Sequence, residues 1–267
     1  MLPSIPNLLA ITALLTPIAI ADCTRAGLPT TATTYFTAQT NGQPSTLALN
    51  TLNFAYKENN KITDINKGVL SQHLNLELNR TTADTVTCAS YTLSIYPSKN
   101  GSKPYVLATQ IRHPVNDTSV ISMIDTVAAT TGALFFDAAQ KLMYLPAENW
   151  TALEIGKRPS REMLRRVGDA YLDMWTDGKA ADLIPWGTNC EQIEGSRLTR
   201  PCGGALTHGG SAKVNGNRRY VIDETVRSVE VLCSFDSLDL DMPDSHEIRV
   251  EDGKVKYVHT VTVYGSR

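Results

Sequence analysis

The sequence carries none of the short motifs that announce common catalytic machinery. It has no GxSxG elbow, no HExxH, no Walker loop and no complete dinucleotide fingerprint, so the nucleophile-elbow hydrolases, zincin proteases and nucleotide-dependent enzymes are not indicated. His246-Glu247 is not followed by a histidine four residues after the first. CxxC is also missing, which argues against a dithiol redox pair and a structural zinc site. No metal and no cofactor are therefore expected. The formal net charge is only −2, so nothing favours a nucleic-acid partner or a polybasic membrane surface. Aromatic residues make up 7%, low for a carbohydrate enzyme with an aromatic-lined groove. The paired carboxylates of that class are defined by their distance in space, so they remain open. Beyond residue 20 no run is long and apolar enough to span a bilayer.

What is present begins at the N-terminus. Residues 8–20, LLAITALLTPIAI, form an apolar run of signal-peptide length, followed by small residues at Ala19 and Ala21. Residues 1–21 are read as a cleaved signal peptide, although MLPSIPN contains no basic residue. The run is shorter than the roughly 20 residues of an anchor and contains Pro17. The mature chain is expected to be secreted. In that setting most of its five cysteines should pair. Cys190 and Cys202 bracket a loop with Gly, Pro and Arg nearby, Cys23 at the new N-terminus is expected to be tethered by Cys88, and Cys233 in VEVLCSF reads as a buried free thiol. Asn79, Asn100, Asn116 and Asn149 each satisfy Asn-X-Ser/Thr, the glycosylation rule for a secreted protein.

The chain also repeats itself. Tyr35-Phe-Thr-Ala-Gln-Thr-Asn-Gly42 resembles Tyr171-Leu-Asp-Met-Trp-Thr-Asp-Gly178 at an offset of 136, and at the same offset Asn53 meets Asn189 and Glu58-Asn59 meets Glu194-Gly195. Tyr105-Val106 with Arg112 resembles Tyr220-Val221 with Arg227 at an offset of 115, and the Gly132 turn is set against the Gly253 turn. Ordered matches with drifting spacing indicate a duplication. Each half opens with a helix, 29–41 and then 160–178. The second carries a 3.6-period stripe of Met163, Leu164, Val167, Ala170, Tyr171, Met174 and Trp175, and Gly42 and Gly178 are natural stops. Strands follow, at 84–96, 104–113, 119–131 and 133–145, then at 218–235, 245–251 and 254–264. Ser98–Gly101 and Glu251–Gly253 read as hairpin turns. The fold class is α+β: two tandem cone-shaped units, 22–146 and 160–267, each with N-terminal helices packed on a curved antiparallel sheet, joined by a linker at 147–159.

The segments 56–60 (YKENN), 67–70 (KGVL), 110–113 (QIRH), 168–173 (GDAYLD), 185–187 (PWG), 218–225 (RRYVIDET), 244–246 (DSH) and 257–259 (YVH) together resemble a family of secreted fungal proteins, over nearly the whole mature chain. The hairpin 246–260 looks like the closing hairpin of the nuclear-transport-factor-like (SnoaL-like) cone fold, which includes polyketide cyclases and scytalone-dehydratase-type enzymes. Some similar proteins resemble the hetero-Diels–Alderases of tropolone-sesquiterpenoid pathways. There a tropolone alcohol loses water to a quinone methide, which adds to a terpene alkene. The resemblance implies a reaction class and assigns no residue.

Strand alternation supplies candidates. Val255, Tyr257, His259, Val261 and Val263 share one face of the last strand. His246, Ile248 and Val250 share one face of the strand before it, and Glu247, Arg249 and Glu251 share a solvent-like one. His246 and His259 are thus expected to line one cavity and to move protons during dehydration; the competing reading is a buried histidine satisfied by a backbone carbonyl. Glu224, on the more apolar face with Tyr220, is a candidate buried acid with a raised pKa, or else a salt-bridge partner of Arg227 or Arg249. Arg112 and His113, at a strand end, are candidates for the rim. Tyr220, Tyr257 and Trp186 are candidates for contact with a planar substrate, a tryptophan such as Trp186 being as readily core. Three readings follow. The first is a cofactor-free lyase or cyclase of secondary metabolism acting on a small apolar substrate. The second is a non-catalytic module binding an apolar ligand or cell-wall component. The third is a carbohydrate enzyme. Both a homodimer and intramolecular pairing of the halves remain open.

Overall fold

The computed structural model describes residues 23–99, 101–115, 117–203, 206–238 and 241–264. The signal-peptide reading and the sequons at Asn100 and Asn116 lie outside them; Asn79 and Asn149 are exposed. Both disulfides, Cys23–Cys88 and Cys190–Cys202, are formed, and Cys233 is a buried free thiol. Among the described residues no helix is long and apolar enough to cross a membrane.

The elements run α1 (Gly27–Asn41), β1 (Ala55–Glu58), β2 (Lys61–Ile62), β3 (Leu78–Asp84), β4 (Ala89–Tyr96), β5 (Tyr105–Arg112), β6 (Met123–Thr130), α2 (Ala138–Tyr144), α3 (Arg161–Asp173), α4 (Gly178–Asp182), β7 (Trp186–Glu194), β8 (Arg197–Thr199), β9 (Gly216–Asp223), β10 (Ser228–Phe235), β11 (Met242–Glu251) and β12 (Lys254–Thr262). The strands form two six-stranded sheets of one plan. The order is β2-β1-β6-β5-β4-β3 in the first and β8-β7-β12-β11-β10-β9 in the second. The sheets are mixed, not wholly antiparallel, because β1 joins β6, and β7 joins β12, in parallel. The fold is α+β with two sheet-based units.

Strand-for-strand correspondence decides which repeat matches hold. Tyr35 and Tyr171 lie on the first helix of each unit. Glu58 pairs with Thr126 as Glu194 pairs with Thr260, so the offset of 136 is structural. The offset of 115 is not. Tyr105 opens β5, whose counterpart is β11, whereas Tyr220 lies in β9, the counterpart of β3. The Gly132 and Gly253 turns are not equivalent either: one follows β6, the other joins β11 to β12.

Three expected strands also change. The spans 84–96 and 218–235 contain hairpin turns, and 133–145 contains α2. Both turns were hidden because aspartate, not glycine, makes them. Asp84 Oδ1 accepts the Val86 and Thr87 amides at 3.1 and 3.0 Å, and Cys88 takes φ 50°. Asp223 Oδ1 accepts the Thr225 and Val226 amides at 3.0 and 3.3 Å, and Arg227 takes φ 62°. Such Asx turns need no positive-φ glycine. The helix at 160–178 ends at Asp173. Its start is fixed by Ser160, whose side chain accepts the Met163 amide.

The same two aspartates join the units. Asp84 Oδ2 accepts the Ile222 amide at 3.0 Å and pairs with Arg161 at 2.7 Å. Asp223 Oδ2 accepts the Ala83 amide at 2.8 Å, and its Oδ1 pairs with Arg25 at 2.5 Å. Each unit thus lends the arginine before or at the start of its first helix to the other unit's hairpin. One face of each sheet meets the other unit through a shared cluster that includes Tyr91, Leu93, Val221, Leu232 and Val261. The opposite faces pack under α1 in the first unit and α3 in the second.

Candidate functional site

Two neighbouring strands place the chemistry. β11 alternates between the α3 side and the inter-unit side. His246 pairs with Thr260 and Ile248 with Val258; Glu247 pairs with His259 and Arg249 with Tyr257. His246 and His259 therefore point to opposite faces, against expectation. The cause is a one-residue bulge. Near the turn Val250 pairs with Val255, but Arg249 pairs with Tyr257, leaving Lys256 extra. Without the bulge His246 would oppose His259. One inserted residue exchanges the faces of everything beyond it.

On the α3 side His246 is 3% exposed. Its ring lies 5.2 Å from Tyr171 and 5.7 Å from Phe235, centroid to centroid. Asp244 Oδ2 stands 3.0 Å from Nε2, yet neither ring nitrogen has an aligned hydrogen-bond partner. Asp244 is fixed from its other oxygen, which accepts the Ser245 amide at 2.8 Å and the Thr262 hydroxyl at 3.0 Å. Glu194, at the end of β7, is held above the usual carboxylate range by burial and then by the Asp244 charge, opposed by His246. Burial, then Glu194 and Asp244, push the Tyr171 phenol upward. The surroundings are apolar: Val229, Val231, Ile248 and Val258 lie in the same cluster. Trp186 packs edge-on against Tyr171 at 6.2 Å and Trp175 against Phe235 at 4.9 Å. His246, Asp244 and Tyr171 are buried together beside apolar side chains, with the partly buried Glu194 on the same sheet, a set of groups able to exchange protons.

His259 belongs instead to a seam between the units. Its Nε2 lies 2.7 Å from Glu148 and its Nδ1 3.2 Å from Glu247. Arg80 bridges both carboxylates at 3.0 and 2.6 Å and stacks 3.7 Å over Trp150. His259 and Arg80 hold Glu148 down at about 2 against the opposing effect of burial. Every member has a counter-charge, the pattern of a structural network.

The other sequence candidates disperse. Glu224 lies just past β9, in the hairpin turn, where its carboxylate accepts the Arg161 amide at 3.0 Å; the buried acid of that pair is Asp223. Tyr220 is half-buried, bonded to Asp169 and covered by Arg165 at 4.2 Å. Arg112 donates to Gln110 and to the Tyr220 carbonyl across the unit boundary. His113 is buried, not at a rim; its Nδ1 lies 2.7 Å from the Val120 carbonyl, and burial lowers its pKa. Tyr257 lies on the inter-unit face, stacked near Trp150. Of the residues proposed from sequence, His246 and Trp186 meet around Tyr171, and Tyr220 packs at the edge of the same α3-side cluster. Asp244, Glu194 and Tyr171 were missed as its members. The signal was there: Asp244 and His246 are two apart on a strand, and Glu194 and Tyr171 both anchor the repeat.

Residues 157–262 match a family model described as a domain of unknown function, DUF8021. The matched span runs from just before α3 to the end of β12, and so holds Tyr171, Glu194, Asp244 and His246 together. The first unit, Arg80 and Glu148 lie outside it. No curated protein matches the chain.

Proposed function

We propose that the protein is a secreted, cofactor-free enzyme that dehydrates and cyclises a small apolar substrate inside the second unit, taken as a SnoaL-like cone. The observation that carries this reading is the Asp244–His246 pair facing Tyr171 beneath α3 in an otherwise apolar interior. His246 removes a proton from the substrate. Glu194, whose pKa is raised by burial and the Asp244 charge, gives one to the departing hydroxyl, which leaves as water. His246 then returns its proton to Glu194. Trp186, beside Tyr171, packs against Gly203. The two disulfides suit the oxidising route of a secreted chain.

In its specific form the substrate is a tropolone alcohol. Water loss gives a quinone methide, which adds to a terpene alkene in a hetero-Diels–Alder reaction; holding both partners in register supplies most of such an acceleration. The test is product analysis with a tropolone alcohol and a humulene-type alkene. A single stereoisomer formed with the wild type and lost in His246→Gln and Tyr171→Phe supports the reading. A product ratio identical to the protein-free reaction rejects it. The second reading, a module that binds an apolar ligand, is favoured by a groove of about 670 Å³ along α3 and α4, lined by Met163, Val167, Ala170, Ala180, Leu183 and Pro185. Ligand protection of Leu183→Trp fluorescence, with no turnover, would support it.

A further inference from the structure

Among the described residues Arg249 is the largest fully buried side chain, at 0% exposure. The strand pattern places it toward solvent; the second sheet's inter-unit face is instead covered, and Arg249 lies beneath Trp150. Its guanidinium carbon is 5.0 Å from the Trp150 ring centroid and 5.8 Å from that of Tyr257. None of Nε, Nη1 and Nη2 has a hydrogen-bond partner. The contrast with Arg80, on the other sheet and under the same tryptophan, is sharp: Arg80 meets two carboxylates.

The neighbours of Arg249 are also unsatisfied. Ser228 sits directly across the β10–β11 ladder from it, and its Oγ is buried without a partner. The next residue back, Arg227, is 6% exposed and its Nε is likewise unpartnered. The carboxylates on the same face of β11 are engaged elsewhere. Glu251 lies 3.5 Å from Arg227 Nη2, and Glu247 serves Arg80 and His259, with Oε1 left unpaired. Burial pulls the Arg249 pKa down, Arg227 adds to this, and Glu251 opposes it. A guanidinium has only donors. A buried cation without a counter-charge costs several kcal/mol, and buried donors in native proteins are nearly always satisfied. Four unpartnered guanidinium nitrogens with one hydroxyl, and one aromatic cover, describe the complement of an oxyanion.

We propose that Arg249, Arg227 and Ser228 form a binding site for a small oxyanion, a carboxylate or a tetrahedral sulfate or phosphate, beneath Trp150. The forked guanidinium favours two-point contact with two oxygens of such a group. Trp150 lies between the units, so the anion would also fix that connection over the second sheet.

The direct test is diffraction from crystals of the whole secreted protein grown with selenate. An anomalous peak within hydrogen-bond reach of the Arg249 guanidinium is expected; an ordered structure with no peak there overturns the site. In solution, sulfate binding is measured by calorimetry at constant ionic strength. Arg249→Gln is expected to weaken it by about tenfold or more, as befits loss of a charge-assisted contact. A folded variant that binds sulfate as the wild type does overturns the proposal. Should Arg249→Gln not be secreted, the wild-type selenate peak decides alone. Displacement of selenate by benzoate would identify an organic acid as the source, and displacement by phosphate alone an inorganic one. Both results support the site.

Discussion

The two units share one plan but fill it differently. In β4 the residues facing α1 are Ser90, Thr92, Ser94 and Tyr96. At the same places in β10, facing α3, stand Val229, Val231, Cys233 and Phe235. Thr109, opposite Thr92, corresponds to His246, opposite Val231. The first unit joins Tyr35, Thr109 and Thr126 in a chain of hydroxyls, at 3.2 and 3.0 Å. Its acid is spent locally: Glu58 accepts from Tyr56 at 2.9 Å and from the Val69 amide at 2.7 Å. The second unit keeps an apolar interior and concentrates its polarity in Asp244, His246, Glu194 and Tyr171. One unit has a neutral hydroxyl interior, and the other holds the groups able to carry charge. A low-dielectric interior amplifies the few charges left in it, and that is the ground for placing the proposed proton transfer in the second unit.

The largest test of that difference is kinetic. His246→Gln should lower product formation by about 10²–10⁴-fold, the range of a lost general base. Thr109→Ala, at the equivalent place, should leave the rate unchanged. Equal losses in the two variants, measured under single turnover, would break the assignment of activity to the second unit.

Next come the reciprocal aspartates. Asp84→Ala strips Arg161 of its carboxylate and leaves the Ile222, Val86 and Thr87 amides unpaired, at a cost of about 3–5 kcal/mol in urea unfolding. Asp223→Ala should cost less, because its partner Arg25 is 39% exposed whereas Arg161 is 28%. A reversed order would show that the exposure of the arginine partner does not set the cost.

A smaller effect separates the interiors themselves. Val231→Thr places a hydroxyl among valines and should destabilise by about 1–3 kcal/mol. Thr92→Val, the mirror exchange, removes a hydroxyl that has no partner and should be neutral or stabilising. Matching penalties would mean that the first interior holds ordered water on Thr92.

The finest distinction lies on the inter-unit face, where Tyr91 in the first unit corresponds to Glu230 in the second. Burial pushes Glu230 up to about 8, opposed by hydrogen bonds from Gln110 and Ser245. The folded protein therefore keeps a proton that the unfolded chain loses above its ordinary carboxylate range. From about pH 4.5 to about pH 8 the unfolded state binds fewer protons, and this group's contribution to stability falls as pH rises. Glu230→Gln should flatten that decline in thermal midpoints without changing the low-pH limb set by Glu148. An unchanged slope would show that Glu230 is ionised in the folded state.

Much of this protein was written locally. The helix stripe, the glycine after α1, the cysteine pairs and the offset of 136 between Tyr35 and Tyr171 can be read from residue pattern and spacing, and they point to an α+β fold of two sheet-based units. The aspartate turns were invisible because Asp84 and Asp223 act by accepting amides two and three residues on, which leaves no Gly or Asn-Gly mark. His246 was found from alternation but was set on one face with His259, because the bulge at Lys256 changes the register between β11 and β12 by one residue. Nor does alternation tell solvent from a second sheet: Glu247 and Arg249 look like an exposed face until the first unit and Trp150 cover it. Sequence determined α1, α3, β5, β6, β11 and β12, since hydrogen bonding and periodicity act within a few residues. Only the tertiary structure decided which faces became interiors, because burial of a charged face depends on what packs against it, and here that surface comes from residues more than a hundred positions away, as in Arg80 with Glu247.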